Sequence, residues 1–137
     1  MIKKQIKIAK SSGFCFGVKR AIELAEKVAA NNKKVYTFGP LIHNPQEVKR
    51  LDKEGIKVIE NHSKIRKGIL VLRTHGIEQK IHEKLSKRKN IDVIDATCPF
   101  VKRAQDIVKK LSYKSEQIVI VGEKTHPEVI ALVSYGK

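Results

Sequence analysis

Val35-Tyr-Thr-Phe-Gly-Pro-Leu-Ile-His-Asn-Pro-Gln-Glu47 holds the pattern that decides the fold. Val35 to Phe38 reads as a strand and Gly39-Pro40 as a break. Asn44-Pro45-Gln46-Glu47 then opens a helix, with Asn at the N-cap, Pro at the first helical position and Glu at the third. The alternation repeats in both directions. Upstream, Ile2 and Gln5 to Ala9 form a short alternating strand, and Gly13-Phe-Cys-Phe-Gly17 is a turn. Val18, Ala21, Ile22, Ala25, Val28 and Ala29 follow at helical spacing until Asn31-Asn32. Downstream, Ile56 to Ile59, Ile69 to Leu72, Ile91 to Ile94 and Ile118 to Val121 read as strands. Glu78 to Arg88 is a charged helix with Ile81 and Leu85 facing inward. Pro99 starts a helix whose stripe runs through Val101, Ala104, Val108 and Leu111, and His126-Pro-Glu128 opens another. Strands alternating with helices predict α/β layers around a mainly parallel sheet. The last strand-helix unit has no following strand before Lys137, so the sequence reads as cut short.

Composition narrows the class. A chain of 137 residues with 41% hydrophobic content suffices for one globular core and is marginal for two. The net charge of +15 invites a nucleic-acid partner. The detail argues against it: Lys supplies 23 of the 29 cations, Trp is absent, and no basic-aromatic array appears. Most lysines therefore read as solvated faces. Two cysteines, Cys15 and Cys98, make no disulfide framework, and no apolar run approaches the roughly 20 residues of a membrane span. The start of the chain alternates and lacks a signal peptide's apolar stretch, so the expected location is the cytoplasm.

The reactive residues share a position. Cys15, His43, His75, Cys98 and His126 each sit where a strand gives way to a helix. In open parallel sheets these junctions lie along one edge, where ligands bind outside the carboxyl ends of the strands. Helix N-termini there favour anions and lower thiol pKa values, so both thiolate and diphosphate chemistry fit. Gly13 and Gly17 flank Cys15 and permit a close backbone approach that an inert core thiol would not need. Ser, Thr, Asn or Asp would cap a helix better than Cys98, which points to ligation there. Glu128, two residues after His126, adds a proton-relay partner, although a carboxylate in a first turn also complements the helix dipole. His62, in a polar turn, and His82, in a charged helix, read as surface residues. Neither cysteine begins a phosphatase loop, the pair is not Cys-x-x-Cys, and no Gly-rich nucleotide loop follows a strand. A zinc site completed by tertiary contact stays open, as does a small basic α/β module that grips an anion without redox chemistry.

On these residues the chain resembles the IspH (LytB) family of 4-hydroxy-3-methylbut-2-enyl diphosphate reductases. The matching segments are Gly13-Phe-Cys-Phe-Gly-Val18, Gly39-Pro-Leu-Ile-His-Asn-Pro45, Arg73-Thr-His-Gly76, Asp95-Ala-Thr-Cys-Pro-Phe-Val101, and Gly122 with His126-Pro-Glu-Val129. The resemblance implies a three-lobed architecture of small parallel-sheet α/β lobes. Residues 1–12 would form a strand belonging to a third lobe, 13–97 the first lobe, and 98–137 an incomplete second lobe. It also implies a [4Fe-4S] cluster on three thiolates, Cys15 and Cys98 being two of them, with the third cysteine absent from this chain. His43, His75 and His126 would bind the diphosphate of the substrate, and Glu128 would supply the proton. A ferredoxin- or flavodoxin-type protein would donate electrons, with no nucleic acid or membrane partner. Lacking the third thiolate, the 137-residue chain is not expected to hold a stable cluster or turn over alone. Its incomplete lobe edges are expected to leave unpaired strands and apolar helix faces exposed.

Overall fold

The computed structural model describes residues 5–32, 34–114 and 117–136. Within them, β1 (Val35–Phe38), β2 (Ile56–Ile59), β3 (Gly68–Leu72) and β4 (Ile91–Asp95) form a parallel sheet in the order β2-β1-β3-β4. Val35 lies opposite Ile56 on one side and Ile69 on the other, and Gly68 pairs with Ile91. The helices are α1 (Phe16–Asn31), α2 (Pro45–Lys53), α3 (Gln79–Ser86), α4 (Pro99–Tyr113) and α5 (Pro127–Val133).

Alternate side chains of the strands build two apolar layers, as a sheet covered on both faces requires. Val35, Ile56 and Val71 pack with Ala21, Ile22 and Ala25 of α1 and Leu51 of α2. Leu70 and Leu72 face the other way, into a cluster with Ile65, Ile77, Leu85 and Ile91. Each of these fully buried leucines contributes about 1.5–3 kcal/mol through removal from water. The helix ends follow local chemistry. Asn44 Oδ1 accepts from the Glu47 N–H at 2.9 Å, as the capping pattern predicts. The side-chain amides of Asn31 and Asn32 donate to the carbonyls of Lys27 and Val28 at 3.1 and 2.8 Å, which satisfies the last turn of α1.

β1 leads to β2 on one side, and β3 leads to β4 on the other. The crevice beyond the carboxyl ends of β1 and β3 is therefore the point where strand order reverses, the usual place for a ligand in such sheets. The segment after Thr97 is stitched to this sheet. The Cys98 N–H donates to the Thr74 carbonyl at 2.9 Å, and the Gln79 N–H donates to Ser134 Oγ at 2.9 Å.

Two expected strands do not form. Gln5 to Ala9 and Ile118 to Val121 join no ladder, and Ile6 and Val121 are 93% and 94% exposed. Alternation supplies the side-chain pattern of a strand, but a strand also needs a neighbour's N–H and C=O groups, and none among the described residues pairs with either segment. Ile2 lies outside the described residues. No helix among those described is long and apolar enough to cross a membrane.

Candidate functional site

Three imidazoles meet at the switch crevice. His43 follows β1, His75 follows β3, and His126 is the N-cap of α5. Their ring centroids are 4.3 Å apart for His43 and His75, and 5.6 Å for each of the other two pairs. One nitrogen from each ring lies within 4.8 Å of the others. The backbone explains the convergence. Both the N–H and the hydroxyl of Thr74 donate to the Leu41 carbonyl, at 3.2 and 3.1 Å, clipping the loop after β3 to the loop after β1. Arg73 Nε donates to the Gly76 carbonyl at 3.2 Å and tightens the same turn, where Gly76 holds a φ of +72° that other residues rarely adopt.

The electrostatics separate the rings. Burial, followed by the nearby His43, Arg73 and His126, pushes the His75 pKa down to about 4, so this ring is neutral at pH 7. Its Nδ1 is buried with no hydrogen-bond partner. Nδ1 of His126 accepts from the Glu128 N–H at 3.3 Å, so the neutral ring carries its proton on Nε2 and presents a donor. Burial also pulls the Arg73 pKa below its usual value, but a guanidinium stays charged and places a fixed positive charge behind His75.

The sulfur side of the rim is built from two helix starts. Cys15 is the N-cap of α1 and Cys98 the N-cap of α4, and neither side chain caps its own helix. A β-carbon placed on Gly17 would lie 2.5 Å from Cys98 Sγ, so this thiol rests on the first turn of α1, two residues beyond Cys15. Both thiols are free, with Cys15 exposed and Cys98 partly buried. Asp95 shapes the approach: its Oδ1 accepts from the Thr97 N–H at 3.0 Å and its Oδ2 from Lys102 Nζ at 3.3 Å. Burial would raise the Asp95 pKa, but the Thr97 and Lys102 contacts outweigh it and hold the carboxyl below its usual value. Arg20 Nη1 adds a bond to the Thr97 carbonyl at 3.3 Å.

A cleft of about 230 Å³ opens beside His43 and His75, lined also by Phe14, Val18, Ile42, Asn44 and Thr74. A wider cleft of about 690 Å³ lies at the opposite, amino ends of the strands, where Lys34, Arg66, Lys67 and Lys89 contribute to the wall. It holds no imidazole or thiol, and its cations sit near the carboxyl ends of α1 and α3, which they complement electrostatically.

Of the residues singled out from sequence, His43, His75 and His126 are brought together, and Cys98 is seated beside the Cys15 turn. Glu128 stands half-buried on the first turn of α5, its N–H bonded to His126. His62 stacks edge-on against Phe38 at 5.4 Å, and His82 lies 3.9 Å from Asp95, so neither joins the cluster. Sequence reading missed Arg20, Arg73, Thr74 and Asp95, whose hydrogen bonds hold the loops that carry the reactive groups. Asp95 alone had a readable signal, because an Asp two residues before a backbone N–H at a strand end forms an Asx turn.

Comparison with known proteins agrees with this architecture. Residues 6–137 match the family described as LytB protein. The 4-hydroxy-3-methylbut-2-enyl diphosphate reductase of Geobacter metallireducens is 46% identical over 133 residues, covering 97% of this chain and 47% of that protein. The enzyme of the same name from Caldanaerobacter subterraneus subsp. tengcongensis is 50% identical, covering 93% of this chain and 46% of the relative. The chain thus spans about half the length of these curated relatives. A solved structure of (E)-4-hydroxy-3-methyl-but-2-enyl diphosphate reductase, described as the terminal enzyme of the non-mevalonate pathway, superposes with a TM-score of 0.81 at 45% identity, covering 95% of this chain and 46% of the other. The E-1-hydroxy-2-methyl-but-2-enyl-4-diphosphate reductase of Plasmodium falciparum gives 0.86 at 35% identity, covering 92% and 40%. With a match from residue 6 to residue 137 and relatives this similar, the chain belongs to the LytB protein family.

Proposed function

We propose that this chain carries the diphosphate-binding and proton-donating part of a reductase that converts (E)-4-hydroxy-3-methylbut-2-enyl diphosphate to isopentenyl and dimethylallyl diphosphate. The reaction consumes two electrons and two protons and releases the hydroxyl as water. The observation that carries the reading is the meeting of three imidazoles at the switch crevice, with a thiol-bearing loop tied to the same β3 turn.

His43, His75 and His126 bind the diphosphate. At neutral pH His75 serves as a neutral N–H donor, while Arg73 supplies fixed positive charge behind it. His126 presents Nε2–H because its other nitrogen is held by the backbone. Phe14, Val18 and Ile42 give the cleft an apolar wall suited to a short hydrocarbon chain. Glu128, next to His126, delivers a proton to the departing hydroxyl. Cys15 and Cys98 would supply two of the three thiolates of a [4Fe-4S] cluster: both stand at helix N-termini, and the missing β-carbon of Gly17 leaves the hollow that seats Cys98 Sγ. When bound, that cluster supplies the electrons and a Lewis acid. The third thiolate is outside these 137 residues, which contain two cysteines. A ferredoxin- or flavodoxin-type protein donates the electrons, and the compartment is the cytoplasm.

Anaerobic reconstitution with iron and sulfide tests the reading. The expected product is brown, holds fewer than four irons per chain, lacks turnover, and loses its colour on Cys15→Ser or Cys98→Ser. Colourless protein that binds inorganic diphosphate equally well with both cysteines replaced would favour the anion-binding module. A full iron complement with turnover would contradict the need for an outside thiolate.

A further inference from the structure

Two buried polar atoms without partners belong to the Gly76 turn and to the residue packed against it. Gln105, on α4, is 1% exposed, and its Nε2 has no hydrogen-bond partner. That nitrogen occupies the space a β-carbon on Gly76 would need, so the amide presses directly on the turn that carries His75. In the residue before Gly76, His75 Nδ1 is buried and equally unpartnered. One atom is a donor, and the other is an acceptor in a neutral ring protonated at Nε2. An unpaired buried amide is costly enough that its presence calls for a role. His126 shows what such a role is: a donor on Nδ1, there the Glu128 N–H, fixes the proton on Nε2.

We propose that Gln105 is a positioning residue for His75, its side-chain amide donating to His75 Nδ1 and thereby holding Nε2–H toward the crevice. Neither atom has a partner as the side chains stand, so the bond forms when the Gln105 side chain turns toward the ring. Gly76 is required because any side chain there would displace the amide. The arrangement also joins the two halves of the rim, since the helix that begins at Cys98 reaches the imidazole side through Gln105. This inference rests on the diphosphate reading for its purpose, but not for its first readout.

That readout is the tautomer of His75, taken from imidazole nitrogen chemical shifts in the uniformly 15N-labelled 137-residue chain. The expected state is one tautomer, protonated at Nε2, with or without inorganic diphosphate. Gln105→Met keeps the length and shape of the side chain and removes the donor. It should mix the His75 tautomers and weaken inorganic diphosphate binding about threefold to tenfold, the range of one neutral hydrogen bond. Thermal stability should fall, because the buried His75 Nδ1 then loses its donor. Gln105→Glu offers an acceptor in place of the donor, should move the proton to Nδ1, and answers the question if the Met variant does not fold. A His75 tautomer unchanged in the folded variants would overturn the proposal. If diphosphate perturbs no histidine while the tautomer still responds to Gln105, the anion reading fails and the positioning role stands.

Discussion

At the scale of single residues, the site depends on which side chains are missing as much as on those present. Gly17 is the clearest case, since an added β-carbon would meet both Sγ and Cβ of Cys98, at 2.5 and 3.1 Å. Overpacking of this kind costs about 1–3 kcal/mol. Replacing a helical Gly with Ala returns roughly 0.5–1 kcal/mol. The net effect of Gly17→Ala on a denaturant midpoint should therefore be small, while Cys98 is pushed off the α1 turn. In a Cys15→Ser background, the rate of Cys98 modification by a disulfide reagent should rise. An unchanged rate would mean that Cys98 is not seated on Gly17. His75 gives a second residue-scale prediction. Its folded pKa, about 4, lies below the ordinary 6.5, so the unfolded chain binds more protons between these values. Stability should be fully present above about pH 6.5 and fall as the pH drops toward 4. His75→Gln should flatten that part of the profile. A slope in this window identical to that of the unsubstituted chain would show that another group is responsible.

At the scale of elements, caps and loop clips aim the reactive groups. Asn44→Ala removes the bond to the Glu47 N–H and should cost about 0.5–2 kcal/mol in urea unfolding. Because His43 immediately precedes that cap, inorganic diphosphate affinity should drop as well. A stability loss with unchanged affinity would separate the cap from the site. The strands at 35–38 and 56–59 were legible to the residue, because buried strands are short, β-branched runs between breakers. The segments at 5–9 and 118–121 carry the same pattern and form no ladder, since pairing depends on a neighbour that sequence periodicity does not reveal. The site was legible to a similar degree. His43, His75 and Cys98 follow strands of the parallel sheet, whose topology gathers such junctions on one edge, whereas Cys15 and His126 stand at helix starts that follow no described strand. Thr74 and Gln105 were not legible, because each meets a residue brought close only by the fold.

At the scale of the whole molecule, charge and apolar surface pull in opposite directions. The chain carries +15, which favours solubility through self-repulsion. Yet Ile6, Ile8, Phe16, Phe100, Val119 and Val121 are all more than half exposed, a share of apolar surface that marks an interaction face or an aggregation liability. The native chain should brighten an apolar dye such as ANS. Val119→Lys combined with Val121→Lys should dim it and raise the concentration at which turbidity appears. Dye that stays dark with the unsubstituted chain would show that these side chains are covered in solution. An anion can tell the two clefts apart, because one is lined by His43 and His75 and the other by Lys34, Arg66, Lys67 and Lys89. The deciding measurement is an amide and imidazole NMR titration of the 137-residue chain with inorganic diphosphate. His43, His75 and His126 should shift together with the 13–18 and 73–77 backbone, while His62 and His82 stay still. Shifts confined to Lys34, Arg66, Lys67 and Lys89, with the three histidines unmoved, would contradict the diphosphate reading.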